Sequence, residues 1–520
     1  MSASDIDTEK QSIHQVEEVA LHGHVATDKH GHALIHIDPA AEARLRRKMD
    51  IRILPVVALM YLFCFIDRAN IGNARVAGLE KDLHLKGYDY NILLTAFYTA
   101  YVAFEFPCQM INKAVGPGKT LPIFSFLFGL FSMAMAFVHT FGAAIAVRFL
   151  LGIAEGAVFP GIAFYLSRFY RKDELGFRLS CYIVCAPAAG AVGGLLASGI
   201  LKITLLAGFS DGGQSRILVA QIVEVAAHPC RPMIFLIEGI ISMGIAIISW
   251  FVLADRPEVC GWLTAEEKAL AEARIKIDNV GSTVVVDKIH WKAVWAGILN
   301  PVTIASSIIF LFDNTVVQGV GFYLPTIIKS IYPTSSTIRV QLLSVPPYVL
   351  GSLTTLATGY FSWKTRNRTL YMMMSAPFVM LGFAMYIGSM NAHVRYAAAF
   401  MVAIGAFSFG SLCTAFSAAN VTSDTARAAA LGTTVFMGNV GGLISTWTFL
   451  PRHAPRYLPG NAFNLAGSSI MLILSIAIWL WMRKENRAKE NGRDDHYIEG
   501  KTDQEIADLN QKHPAFRFAY

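Results

Sequence analysis

The chain has 520 residues, 54% of them hydrophobic and only 16% charged, with a mean hydropathy of +0.46. A water-soluble fold has no way to bury that much apolar surface behind so few charges, so the composition points to a polytopic membrane protein. The formal net charge of +7 does not imply nucleic acid, because the basic residues gather in tails and loops beside apolar stretches, where lipid headgroups and the insertion machinery account for them.

Residues 1–43 are polar, lack the apolar core of a signal peptide, and contain His14, His22, His24, His30, His32 and His36 at irregular spacing. They read as a disordered cytosolic tail rather than a metal site. A basic cluster, Arg44, Arg46, Arg47, Lys48 and Arg52, then precedes the first apolar stretch as a cytosolic anchor.

Windows of about 20 residues predict twelve membrane-spanning helices. They fall near 52–74, 91–112, 119–138, 142–164, 178–201, 232–253, 302–324, 341–362, 370–389, 395–418, 428–450 and 463–482. Between the sixth and seventh lies a polar stretch containing LTAEEKALAEARIKI, where Leu263, Leu270 and Ile277 recur every seven residues among charges and predict a surface helix. The expected organisation is an all-α polytopic membrane protein: a six-helix half over 44–254, a cytosolic central loop over 255–300, a second half over 301–483 and a cytosolic tail over 484–520. Six, loop, six is the plan of a duplicated transporter. Lysine and arginine counts in the short loops do not decide orientation, whereas the tails and central loop place both termini in the cytosol. The seven cysteines have no zinc-type spacing and read as packing residues. Lys202–Arg231 is long for an inter-span loop, reading either as a surface-folded extracellular loop or as an artefact of the gene model.

Charges inside apolar helices are the functional signal, since each costs roughly 2.5 to 3.5 kcal/mol at the bilayer centre. In the fourth span, RFLLGIAEGAVFPGI places Arg148 and Glu155 on one face about 10 Å apart along the axis. Gly152 and Gly156 form a small-xxx-small surface for a close helix neighbour. In the first span, FCFIDRANIGNAR carries Asp67 and Arg68, with Asn70 and Asn73 extending a polar stripe. That stripe predicts either a face toward a water-filled cavity or a helix that stops at Ile66. Glu105 and Glu238 read as structural hydrogen-bonding groups. Asp313, Asn314 and Gln318 fall mid-span in the seventh helix, and Ser408, Ser411, Thr414 and Ser417 repeat along the tenth. Polar groups on the first and fourth helices of each half predict a shared midplane site. An organic anion there needs a permanent cation, and arginine offers a fork matched to a carboxylate. A desolvated carboxylate beside it suits a coupling proton, so substrate and proton favour each other's binding, which is symport.

These segments are familiar. The run RRKMDIRILPVVALMYLFCFIDRANIGNARVAGLEKDL, with YNILLTAFYTAYVAFEFP, RFLLGIAEGAVFPGIAFYLSRFY, FLIEGI, FYLPTII, LLSVPPY and MGNVGGLISTWTFLP, resembles the anion:cation symporter family of the major facilitator superfamily, on its fungal allantoate and nicotinate permease branch. The resemblance covers about residues 44–485 and implies the major facilitator fold. It also implies proton-coupled uptake of a small organic anion such as nicotinate, pantothenate or allantoate by a plasma-membrane monomer without metal or cofactor. By the same likeness Asp67 and Glu155 are protonation sites, Arg68 is the substrate anchor and Arg148 tunes the acids. Gln318 and Asn439, with Asn314, would complete the site. The family's loop motif between spans two and three survives only as NKAVGPGK, and its counterpart FSWKTRNR lacks the acidic residue before arginine, which puts the usual inter-helix charge lock in doubt. Two other readings stay open: an exporter, although span five reads CAPAAGAVGG without the Gly-Pro pair of exporters, and a nutrient receptor, for which the tails are short. No nucleophile-base set or phosphate loop suggests an enzyme. The sequons at Asn367 and Asn420 are predicted cytosolic and unused.

Overall fold

The first helix starts where the chain supplies a cap. Asp38 accepts from Ala40 N at 2.9 Å and Ala41 N at 3.1 Å, Pro39 occupies the first turn, where it loses no hydrogen bond, and the helix runs unbroken over Pro39–Ala74. It therefore begins inside the expected tail and passes through Asp67 and Arg68, so the alternative of a span ending at Ile66 is not the one observed. The computed structural model describes residues 38–171, 174, 178, 181–206, 231–278, 291–421, 424–493 and 516–519; the histidine-rich tail, Cys230 and most of the stretch after Lys202 lie outside these.

Every expected span is helical among the described residues: Asp89–Val115, Pro117–Ala134, Phe141–Gly156 continued by Val158–Ser167, Cys185–Leu206 and Arg231–Val252 complete the first half. Pro301–Ile331, Thr337–Thr365, Arg368–Gly388, Ala392–Ala419, Asp424–Ser445 and Leu458–Glu490 form the second. Among the described residues, eleven helices are long and apolar enough to cross a bilayer. The second span is the exception in apolarity rather than length. Its 27 residues reach about 40 Å, but Asn91, Glu105 and three tyrosines, Tyr90, Tyr98 and Tyr101, give its buried side a polar character. The outer surface carries large exposed apolar side chains such as Phe106, Phe251 and Ile473, the pattern of a bundle whose solvent is lipid. Six described cysteines are free thiols.

The central helix, Ala265–Asp278, docks on the first half. Arg274, fully buried, bridges Glu42 at 2.8 Å and Glu174 at 2.6 Å, and Arg178 forms a bidentate pair with Asp50 at 2.8 Å. Burial alone would raise the Glu267 carboxyl, but Lys48 Nζ at 2.5 Å and the Thr264 N–H at 2.9 Å hold it below its ordinary value. Between spans two and three, Gly116 turns the chain at φ 103° and Gly118 N donates to Asp255 Oδ1 at 2.8 Å. Asp255, at the end of span six, thus caps span three.

The expected C-terminal tail is partly built into the second half. Phe518 N and O pair with Asn486 at 2.9 and 3.0 Å, and Ala519 N and O pair with Asn420 at 2.8 and 3.0 Å. Phe518 packs edge-on against Trp481 in a cluster with Phe416 and Met482. Burying one Phe and satisfying these main-chain groups predicts that truncation after residue 515 lowers the unfolding midpoint of purified protein by roughly 5 °C. A truncated chain that melts with the parent would show the docking to be energetically idle.

The halves meet on the side opposite the N-terminal extension. Gly72 of span one lies against the Phe322 carbonyl of span seven. Asn91 of span two donates to Tyr323 Oη at 3.0 Å and to the Thr446 carbonyl at 2.5 Å, and Trp447 Nε1 donates to Thr95 Oγ1 at 2.9 Å. Spans five and eight close the other flank, where Gly190 admits the Tyr348 ring and Gly194 lies against Ser344.

Candidate functional site

Asp67 and Arg68 are adjacent on span one, so their side chains diverge by about 100° around the axis and cannot share one partner. Each instead meets a residue of span four. Arg68 Nε donates to Glu155 Oε2 at 2.7 Å, and Arg148 Nη1 stands 3.7 Å from Asp67 Oδ2. The intervals within each helix set this exchange up. Close approach of span four comes from Gly152 against the Phe97 carbonyl and Gly156 against Tyr101, both on span two. All four charged side chains are at most 5% exposed, so an unpaired one would face several kcal/mol of desolvation.

Further groups hold each pair. Cys64, one turn before Arg68, donates its thiol to Glu155 Oε2 at 3.3 Å, and Ser132 of span three donates to Asp67 Oδ1. The Arg68 guanidinium lies over Tyr101 at 4.6 Å, Phe65 at 4.9 Å and Phe97 at 5.6 Å, an aromatic collar that fixes its plane. Arg148 lies over Phe235 at 5.6 Å. Glu155 Oε1 is buried without a hydrogen-bond partner among the described residues.

The polar groups of the second half divide. Gln318 lines, with Arg68, a cavity of about 20 Å³ bounded also by Phe65, Tyr348 and Phe407, room for roughly one water. Asn439 donates to Glu105 Oε2 at 2.9 Å, joining spans two and eleven across the interface. Asn314 is engaged within its own half, donating to the Gly438 carbonyl at 2.6 Å, and Gln318 approaches its Oδ1 at 3.4 Å. Asp313 lies beside Gly410 of span ten, with Oδ1 unpartnered among the described residues. Ser408 and Thr414 bond back to their own helix at 3.1 and 3.0 Å, and Ser417 accepts from Thr434 at 3.1 Å. The Ser411 side chain lies outside the described residues. Glu238 accepts from Asn70, and Asn73 donates to Asn70 at 2.8 Å, so that stripe faces span six rather than a cavity.

Sequence reasoning missed Cys64, Ser132, Tyr101 and Tyr348. The i, i+4 spacing of Cys64 and Arg68 was available as a signal, whereas the others depend on helix packing.

Comparison with known proteins bears on the family and the fold. The family model described as Major Facilitator Superfamily matches residues 57–446. An uncharacterized transporter of Schizosaccharomyces pombe is 33% identical over 88% of this chain and 86% of its own. The MFS-type transporter efuF of Hormonema carpetanum is 30% identical, with 91% and 92% covered. The high-affinity nicotinic acid transporter of Saccharomyces cerevisiae is 29% identical, with 92% and 85% covered. Among solved structures, the proton:xylose symporter XylE superposes with a TM-score of 0.63 at 15% identity, covering 83% of this chain and 96% of that one. A bacterial homolog of the lysosomal transporter Spinster, inward-facing and unoccupied, gives 0.59 at 12% identity, with 85% and 96% covered. At such identities the two structures speak to the fold alone.

Proposed function

The chain belongs to the major facilitator superfamily, and from that premise we propose that this multi-pass membrane transporter, which is not an enzyme, carries a small organic anion into the cell together with a proton. The observation that carries the proposal is the exchanged charge pair, Arg68 with Glu155 and Arg148 with Asp67, buried where Arg68 also faces Gln318 of the other half. The likeness to a nicotinic acid transporter supports a carboxylate substrate. Within the reading, protonating Glu155 removes the negative charge that holds Arg68 and frees the guanidinium fork for the substrate carboxylate. When substrate leaves, Arg68 returns to Glu155 and expels the proton, so the two move together. Arg148 keeps Asp67 paired while Arg68 changes partner, and Asp67 serves as the second proton site only when that pair opens. Gln318, Asn314 and Asn439 would complete the anion's contacts as the halves rock. The same proposal places a monomer in the plasma membrane with both termini cytosolic, the basic run Arg44–Arg52 and the central helix lying on that side.

The test is uptake of labelled nicotinate, pantothenate, biotin, allantoate and a dipeptide into cells lacking their own permeases, with and without a protonophore. Accumulation of one compound that collapses with the protonophore is the expected result. Faster loss from preloaded cells, with no uptake, would replace import by export.

Closure of the site depends on Gly72, because any side chain there meets the Phe322 carbonyl of the other half. Gly72→Leu is expected to cut the uptake rate at least about tenfold at unchanged surface abundance, since a wedge of a few kcal/mol against one state depletes it accordingly. Parental uptake by this variant would mean that the interface does not close there during transport.

A further inference from the structure

A larger cavity lies away from the charge pairs. It measures about 830 Å³ and opens between the feet of spans one, three and six, on the side of the N-terminal extension. Its walls are of two kinds. Arg52 and Lys119 present cations, while Trp250, Phe251 and Val259 are 49%, 80% and 65% exposed and form an apolar flank. An apolar flank that continues a membrane-spanning helix to its end, with tryptophans at the rim, sits at the headgroup level of a bilayer.

The cavity's charges are unequally available. Asp255 also lines it and keeps its charge, but its Oδ1 accepts from Gly118 N at 2.8 Å as the cap of span three, and Arg168, whose Nη1 donates to the Asp255 carbonyl at 3.3 Å, opposes that charge. Arg52 is stacked on Trp262 at 5.2 Å, and Trp262 is itself fixed by its Nε1 donating to the Val252 carbonyl at 3.2 Å. Stacking orients the guanidinium plane without neutralising it, and neither Arg52 nor Lys119 forms an ion pair among the described residues. Elsewhere on this face the cations Arg46, Lys48, Arg178 and Arg274 are matched with carboxylates. Two unmatched cations over an apolar groove at headgroup depth fit an amphiphile with an anionic head, and basic pockets between spanning helices on the cytoplasmic side are recognised by such lipids. A free phosphate would use the cations but leave the exposed aromatic flank uncovered.

We propose that this cavity is a binding site for an anionic glycerophospholipid, whose phosphate lies between Arg52 and Lys119 and whose acyl chains run along Trp250 and Phe251. Occupancy would tie the feet of spans one, three and six together, independently of what the protein carries.

The test uses the full chain purified in detergent, with native mass spectrometry and thermal unfolding, and dioleoyl phosphatidylglycerol as probe. Phosphatidylglycerol is expected to remain bound and to raise the unfolding midpoint, while phosphatidylcholine and soluble glycerol 3-phosphate do neither. The Arg52→Gln/Lys119→Gln variant is expected to retain at least about tenfold less phosphatidylglycerol, with its lipid-free midpoint unchanged. Lys119→Gln alone, at an exposed position, gives the same readout with an intermediate loss should the double variant fold poorly. Equal retention of phosphatidylcholine would reduce the cavity to ordinary annular contact. Equal stabilisation by glycerol 3-phosphate would make it a soluble-anion site, and undiminished retention by both variants would remove the cations from the account; each of these overturns the proposal.

Discussion

Arg68→Ala is expected to abolish saturable uptake, lowering its rate at low substrate concentration by at least about a hundredfold. Two losses coincide at this position. The substrate anion loses the cation that the proposed mechanism assigns to it, and Glu155, 0% exposed, loses the partner that donates to it at 2.7 Å. Removing one member of a buried pair costs about 3 to 5 kcal/mol, enough by itself to threaten folding, so abundance must be read alongside transport. The Arg68→Ala/Glu155→Ala double variant separates the effects. It removes both charges, so it should recover abundance and thermal midpoint relative to Arg68→Ala while remaining without uptake. Arg68→Lys should also fail, because a lysine cannot reproduce the Nε contact to Glu155 while lying flat within the collar of Tyr101, Phe65 and Phe97. Uptake by Arg68→Lys at the parental rate would show that a point charge suffices and that the fork is not what binds the anion.

Glu155→Gln is expected to keep substrate exchange across the membrane while losing accumulation against a gradient. Glutamine preserves size and can still accept from Arg68, but it cannot alternate between charged and neutral forms. Counterflow of labelled substrate should therefore persist within a few-fold of the parent, and steady-state accumulation should fall to the outside concentration with or without protonophore. Accumulation that survives in Glu155→Gln and still collapses with a protonophore would move proton coupling to Asp67, which Arg148 approaches at 3.7 Å.

The second half offers fewer groups to the site than its sequence suggests. Asn439 is joined to Glu105 and Asn314 to the Gly438 carbonyl, which leaves Gln318 beside Arg68 in a cavity of about 20 Å³. A carboxylate of several atoms fits only if the halves part, and Glu105–Asn439 is a bond that parting would stretch. Glu105, read from sequence as a structural hydrogen-bonding group, forms that bond across the interface between the halves.

Class and layout were legible in one dimension. Stretches of about 20 apolar residues must be helices that satisfy their own backbone in lipid, so an all-helical membrane chain in two halves followed from hydropathy and length. Charges within them stood out because lipid makes them costly, which is why Asp67, Arg68, Arg148 and Glu155 were recognisable before any contact was known. The 3.6-residue period even placed Gly152 and Gly156 on a face open to a close neighbour. Periodicity fixes a side chain's direction around its own helix, but not which helix stands opposite. Tertiary packing alone decided that Arg68 takes Glu155 while Arg148 takes Asp67, that Asn70 turns to Glu238, and that Asn420 and Asn486 grip the last residues of the chain. Each of these partners lies tens to hundreds of residues away, where azimuth, depth and crossing geometry of separate helices, none of them written in local sequence, determine whether two buried polar groups meet.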